Sequence, residues 1–287
     1  IVFSGVGKTR AEIAAALRAG VRALNVESPG ELEAIAEEAA ALGVVAPVSV
    51  RLNPDVEADT HAYVATGSAA SKFGVGLDDA RAAYERVAQH PALEPIGISF
   101  HVGSQLLDLR PVRAAAERAA ELWRELESAG TRLRDLNAGG GLGIAYDGGA
   151  DADVDAYAAA LSTLARELGA RLVLEPGRWL VGPVGTFVTR VLYMKDAPGR
   201  RIAVCDGGMN DLIRPALYGA WHEVRPVQES AAPAGVYDIV GPVCESADFL
   251  AKERRVAAAE GDVLAIMSCG AYAMAMSSNY NSRPRAA

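Results

Sequence analysis

The chain has 287 residues, is 51% hydrophobic and 22% charged, and carries a formal net charge of -8, with an isoelectric point near 5.2. This is enough apolar material for one large domain, or for a barrel with a smaller partner, and the acidic balance argues against a nucleic-acid surface. No uninterrupted apolar run reaches bilayer length, so no membrane span is expected. Three cysteines (Cys205, Cys244 and Cys269), odd in number and far apart, make neither a disulfide framework nor a paired metal site. They point to a reducing, cytoplasmic setting and to no bound metal. The few lysines among many arginines read as compositional bias. The chain opens on Ile1-Val2-Phe3, already strand-like, and stops at Arg283-Pro284-Arg285, so a piece of a longer protein, cut at both ends, is expected.

Apolar strand-like runs alternate with alanine-rich helical stretches through the first two thirds. Strand Ile1–Ser4 precedes a helix over Arg10–Ala19, and Ala23–Val26 one over Pro29–Leu42. Val48–Leu52 is followed by a long loop and a helix over Leu77–Gln89, and Ile96–His101 by a helix over Pro111–Ala129. Leu136–Ala138 runs into a glycine loop with a helix at Val154–Leu168 behind it. Leu172–Leu174 is expected as a sixth, buried strand. Such alternation means parallel pairing with helical crossovers. After Gly182-Pro-Val-Gly185 the pattern becomes β: Thr186–Met194, Ile202–Cys205, Tyr237–Val240 and Val263–Met267 are expected strands. Six strand–helix units fit an open doubly wound sheet or, better, a TIM-type (β/α)8 barrel lacking its N-terminal strands, since polar clusters follow nearly every strand. The expected division is 1–182 for this partial α/β barrel and 183–287 for a mainly β domain.

The polar clusters each have two readings. Gly5-Val-Gly7-Lys8-Thr9 resembles half of a phosphate loop, but Val2 stands where that motif needs glycine, which favours a strand-to-helix turn with Thr9 as N-cap. Gly139-Gly-Gly141-Leu-Gly143 can turn backbone N–H groups toward a phosphate or simply make a turn, and its spacing misses the dinucleotide fingerprint. His101 is a strand-end histidine whose small neighbours Gly103 and Ser104 would admit a flat ligand and a phosphate. Glu175 and Arg178 are either an ion pair at a barrel rim or, for Glu175, a carboxylate holding a protonated ring nitrogen. Cys244 is either a small buried hydrophobe or, beside Glu245, a protonated thiol able to donate. Arg214, Tyr218 and Tyr272 are carboxylate or phosphate anchors, or rim residues. Asp206-Gly-Gly208 is most simply a turn.

Taken in order, Ser71-Lys-Phe-Gly74, His101-Val-Gly-Ser-Gln105, Gly139-Gly-Gly-Leu-Gly143, Glu175-Pro-Gly-Arg178, Asp206-Gly-Gly208, Arg214-Pro-Ala-Leu-Tyr218, Cys244-Glu-Ser246, Gly270-Ala-Tyr272 and Ser277-Ser-Asn-Tyr-Asn281 closely resemble the fold type III pyridoxal-phosphate decarboxylases across nearly the whole chain. The resemblance implies a barrel and β domain working as a head-to-tail homodimer with shared active sites and pyridoxal 5'-phosphate as cofactor. It implies that His101 stacks on the cofactor ring and that Glu175 pairs with the ring nitrogen. Ser104, Gly141, Gly177 and Tyr272 would contact the phosphate, with Pro176 in the same segment. Arg178, Arg214 and Tyr218 would hold the retained substrate carboxylate. Glu245 would face the distal amine, and Cys244 would protonate Cα from the partner subunit. The implied reaction is decarboxylation of meso-2,6-diaminopimelate to L-lysine, with ornithine, arginine or carboxynorspermidine as competing substrates and a non-catalytic cofactor-binding relative as the further alternative. The family's cofactor-anchoring lysine would lie upstream of Ile1, and Lys8, Lys72, Lys195 and Lys252 do not match it, so this stretch alone is expected to be inactive or nearly so.

Overall fold

The computed structural model describes residues 1–56 and 71–286. Strand β1 (Val2–Phe3) leads to helix α1 (Arg10–Arg18), which starts where Thr9 accepts from the Glu12 N–H and Glu12 reaches back to the Thr9 N–H, the reciprocal box of a helix start. Strand β2 (Ala23–Val26) leads to α2 (Pro29–Leu42), opened by Ser28 and Pro29 and closed by Gly43 at φ 66°. The series continues as β3 (Ala46–Leu52), α3 (Leu77–Gln89), β4 (Leu93–Phe100), α4 (Arg110–Ser128), β5 (Asp135–Asn137), α5 (Val154–Glu167) and β6 (Arg171–Val173). The six strands pair in parallel, in chain order. This is the TIM-like parallel sheet that the alternation implies. Most of the long loop expected between β3 and α3 falls on residues 57–70, outside the described residues.

Two expectations need correction. The sixth strand is not buried: β6 is half-exposed and Leu174 is 36% exposed, because among the described residues β6 pairs with β5 alone and forms an edge. The fourth strand ends at Phe100 rather than His101, which places His101 in the loop beyond the sheet.

The chain divides into two compact units, 1–143 with 152–176, and 144–151 with 177–287. The second is built on β7 (Phe187–Ala197), β8 (Arg200–Cys205), β9 (Val224–Pro226), β10 (Ala234–Val240), β11 (Phe249–Ala257) and β12 (Val263–Ile266), in the order β11-β10-β8-β7-β12-β9. All its pairings are antiparallel except β8 with β10. Its core packs Val191, Cys205, Ile239, Leu250, Leu264 and Ile266. Three short helices accompany the sheet, α6 (Gly177–Val181), α7 (Arg214–Tyr218) and α8 (Ala273–Met276). Among the described residues no helix is long and apolar enough to cross a membrane.

Candidate active site

In the first unit, a cavity of about 230 Å³ opens at the C-terminal ends of the strands, lined by Ser4, Asn25, Arg51, His101, Asn137 and Glu175 among others. That edge of a parallel sheet collects one loop from every strand, so side chains distant in sequence meet there. His101 Nδ1 accepts the Gly140 N–H at 3.0 Å, which leaves the ring proton on Nε2. Burial and the nearby Arg51 guanidinium push His101 down to about 4, with Glu27 opposing. The imidazole is therefore neutral at physiological pH. Arg51 is held by Glu27 at 2.7 Å, nearly out of solvent, and lies over the Phe73 ring at 4.9 Å. The second Glu27 oxygen accepts the Gly74 N–H at 2.9 Å, which ties the Ser71–Gly74 segment to the ends of β2 and β3.

The glycine loop is a close approach of backbones. A Cβ on Gly140 would lie 2.1 Å from the Glu175 carbonyl oxygen, and one on Gly141, at φ 95°, would lie 2.3 Å from that of Gly103. The Glu175 N–H donates to the Gly139 carbonyl at 2.7 Å. Asn137 steers the same junction, accepting from the Gly139 N–H at 2.9 Å and donating to Glu175 Oε1 at 2.8 Å. Glu175 itself is exposed. Two buried atoms among the cavity's residues, Asn25 Oδ1 and Ser99 Oγ, have no hydrogen-bond partner among the described residues. A neutral imidazole, an oriented carboxylate and unfilled acceptors around one cavity, beside a glycine loop, suit a flat heteroaromatic ring with a ring nitrogen to be protonated. Among the described residues no lysine lines this cavity. Lys8 is enclosed, donating to the Gly5 and Asn25 carbonyls at 2.8 and 2.7 Å and to Glu31 at 2.7 Å. With its three donors committed, it does not serve a phosphate loop.

The second unit gathers a separate cluster. Arg178 and Arg214 are 8% and 6% exposed. Arg178 donates to the Tyr146 hydroxyl at 2.6 Å and lies 4.6 Å from the Tyr272 ring. Arg214 lies 4.4 Å from the Tyr146 ring, and its Nη1 meets His222 Nε2 at 2.9 Å. Arg214 forms no ion pair with a carboxylate among the described residues. Burial, reinforced by the neighbouring Arg178, lowers the Arg214 pKa from a value high enough that the group stays charged. Buried guanidiniums stacked on aromatic rings, with Arg214 lacking a carboxylate partner among the described residues, make an anion site. Tyr218 sits half-buried at the end of α7.

Cys244 and Glu245 occupy a loop organised by Asp248, which is 3% exposed and accepts the N–H groups of Met209 and Val243, both at 2.6 Å. Gly208 and Gly241 leave room for that carboxylate: a Cβ on either would come within 3.0 and 2.5 Å of it. Thus Asp206-Gly-Gly208 is more than a turn, since it packs against the loop bearing the thiol. Reading Cys244 as a buried hydrophobe is overturned, because its side chain is exposed. The buried thiols are Cys205 and Cys269, pushed up to about 12 and about 11 by desolvation. Glu245 accepts from the Tyr280 hydroxyl at 2.7 Å.

The expected residues thus fall into three groups: His101, Ser104, Gly141, Glu175 and Pro176 on the first unit, Gly177, Arg178, Arg214, Tyr218 and Tyr272 on the second, and Cys244 with Glu245 on its exposed loop. Asn137, Tyr146, His222 and Asp248 were not singled out from sequence. Their only sequence signals are positional: Asn137 borders the glycine loop, and Asp248 stands two residues beyond Cys244-Glu-Ser246.

A cavity beside a glycine loop at the strand ends of a TIM-like sheet, with a β unit following in the chain, is the scaffold of a cofactor-binding α/β protein. Residues 1–182 match the family model of the pyridoxal-dependent decarboxylases, pyridoxal binding domain, and the chain belongs to that family. Its relatives include the diaminopimelate decarboxylases of Pseudomonas aeruginosa, 49% identical over 287 residues, and Neisseria meningitidis serogroup B, 48% identical over 286, each alignment covering 100% of this chain and 69% of the relative. Among solved structures, diaminopimelate decarboxylase from Helicobacter pylori complexed with L-lysine superposes with a TM-score of 0.95 at 41% identity, covering 99% of this chain and 72% of that one. The M. jannaschii enzyme in co-complex with L-lysine gives 0.92 at 36%, covering 99% and 68%. The cofactor is pyridoxal phosphate, and the cavity described above fits it.

Proposed function

We propose that this chain carries the decarboxylation of meso-2,6-diaminopimelate to L-lysine, with residues 1–182 holding pyridoxal phosphate and 183–287 supplying substrate contacts. The observation that carries the substrate assignment is the buried Arg178–Arg214 cluster, in which Arg214 lacks a carboxylate partner among the described residues. A substrate that keeps one carboxylate after losing another meets that need, whereas ornithine and arginine yield amines with none. Names and bound lysine in the relatives point the same way.

Bound pyridoxal phosphate supplies the electron sink that makes loss of CO2 feasible. The chain's own residues do the rest. Glu175, oriented by Asn137, would hold a proton on the ring nitrogen. His101, neutral and fixed by Gly140, would lie against the ring and add no charge to it. Ser104, Gly141, Gly177 and Tyr272 would receive the phosphate, with Pro176 between Glu175 and Gly177. Arg178, Arg214 and Tyr218 grip the retained carboxylate, which orients the other one for departure. Cys244 gives its proton to Cα, and Glu245 draws in the distal ammonium. Because Cys244 and Glu245 stand exposed, they serve the site of a second copy in a homodimer.

The test follows CO2 release by the full-length holoenzyme from meso-diaminopimelate, L-ornithine and L-arginine, with Cys244→Ala alongside. Release from diaminopimelate alone, reduced about 10²- to 10⁴-fold in the variant as for loss of a proton donor, is expected. Release only from ornithine or arginine overturns the substrate assignment, and an unimpaired Cys244→Ala overturns the proton donor.

A further inference from the structure

We propose that His222 is a positioning residue that fixes Arg214 while leaving its charge free for the substrate carboxylate; this rests on the reading of Arg214 given above. His222 is completely buried. Its Nδ1 lies 2.8 Å from the Met267 carbonyl, which can only accept, so the ring donates there and presents a bare Nε2 lone pair. That lone pair faces Arg214 Nη1 at 2.9 Å. The edge of the Tyr146 ring closes one side, its centroid 5.1 Å from that of His222. Arg254 binds the backbone carbonyl of His222 at 3.2 Å, and Cys269 Sγ lies 3.8 Å from Nδ1.

A buried arginine is ordinarily held by a carboxylate, which would also neutralise it. Among the described residues the groups around the guanidinium are neutral or cationic: the His222 imidazole, the Tyr146 face, the Cys269 thiol, the Tyr218 hydroxyl, and Arg178 beyond. Proton uptake by His222 is opposed by burial and by Arg214, Arg254 and Arg178 together. His222 therefore does what an aspartate or glutamate in its place would undo. It gives the guanidinium a fixed acceptor without cancelling the charge that an incoming carboxylate must find. Among the described residues no carboxylate takes up the remaining N–H donors of Arg214.

The experiment measures binding of L-lysine and of 1,5-diaminopentane, its counterpart without the carboxylate, to the full-length holoenzyme and to His222→Gln, His222→Glu and His222→Leu. Cofactor absorbance and thermal stability are followed in parallel. His222→Gln offers a neutral acceptor and should keep the preference for lysine. His222→Glu should weaken lysine roughly ten- to hundredfold, the worth of a charged hydrogen bond, with diaminopentane unchanged. A Glu variant that keeps the lysine preference, or a Gln variant that loses it equally, overturns the proposal. Should the Glu variant not fold, weaker lysine binding in His222→Leu but not in His222→Gln supports it, and equal behaviour of those two overturns it. A wild-type enzyme indifferent to the carboxylate would instead overturn the reading of Arg214 itself, a distinct outcome.

Discussion

His101 and His222 are both kept neutral by burial, each down at about 4, with cationic neighbours adding to the effect. The consequence for stability has a definite sign. The unfolded chain takes up a proton on each imidazole near pH 6.5, whereas the folded chain resists until about pH 4. Between those values the unfolded state binds more protons, so stability should fall as pH is lowered and be unaffected above the window. Each histidine contributes a slope approaching about 1.4 kcal/mol per pH unit. A thermal-unfolding series from pH 4 to 7 should show a shallower acid loss in His222→Gln than in wild type, and parallel curves would contradict the buried, neutral assignment. At this scale the sequence exposed the residues that sit in spaced motifs, such as His101, Glu175 and Cys244. It concealed their holders. Asn137, Tyr146 and His222 act through contacts 8 to 45 residues away along the chain, and no local pattern marks an asparagine or a histidine as the partner of a distant side chain.

Elements were legible where local chemistry alone decides them. Helix α2 stands where the sequence places it, since Ser28, Pro29 and Gly43 mark its ends, and α3, with no side-chain cap at Gly76, stands where its apolar stripe places it. Strand β11 escaped notice because Lys252-Glu-Arg-Arg255 interrupts its apolar residues and Glu253 turns to φ 52°, which breaks the alternation a strand is read from. The pairing of β3 with β4 shows a further device that no propensity reveals. Its register shifts after Val48, opposite Pro95, and Ile96 is skipped. The Tyr84 hydroxyl from α3 fills the gap, donating to the Gly97 carbonyl at 2.5 Å and accepting from the Val50 N–H at 3.2 Å. Tyr84→Phe leaves both backbone groups short of a partner and should cost about 1–3 kcal/mol, seen as a lower Tm with the kinetics of the holoenzyme unchanged. Gly97→Ala should be far worse, because its Cβ would stand 2.1 Å from the Asp135 carbonyl oxygen and drive β4 from β5. Gly43→Ala meets open space and should cost only about 1–2 kcal/mol for its left-handed backbone. If Gly97→Ala proved as mild as Gly43→Ala, the close approach of β4 to β5 would be disproved.

For the whole molecule, alternation followed by β patterning was enough to reveal a parallel α/β sheet and then a β sheet. The sequence did not reveal that residues 144–151 belong with the second compact unit, which is how Tyr146 comes to lie between two arginines. That arrangement sets a cost. The chain is acidic overall, at -8, yet it buries Arg214 with no counterion among the described residues. Burying charge without a partner opposes folding, so a ligand that supplies the missing carboxylate should return stability by mass action. At a hundredfold excess over its Kd the gain is about 2.7 kcal/mol, and L-lysine should therefore raise the Tm of the full-length holoenzyme by several degrees. 1,5-Diaminopentane, lacking the carboxylate, should raise it less. In Arg214→Met the lysine advantage should shrink to what Arg178 and Tyr218 retain, whatever happens to the baseline Tm, because the difference between the two ligands measures the carboxylate contact alone. An undiminished lysine advantage in that variant would move the carboxylate away from Arg214 and leave the buried cation without a function.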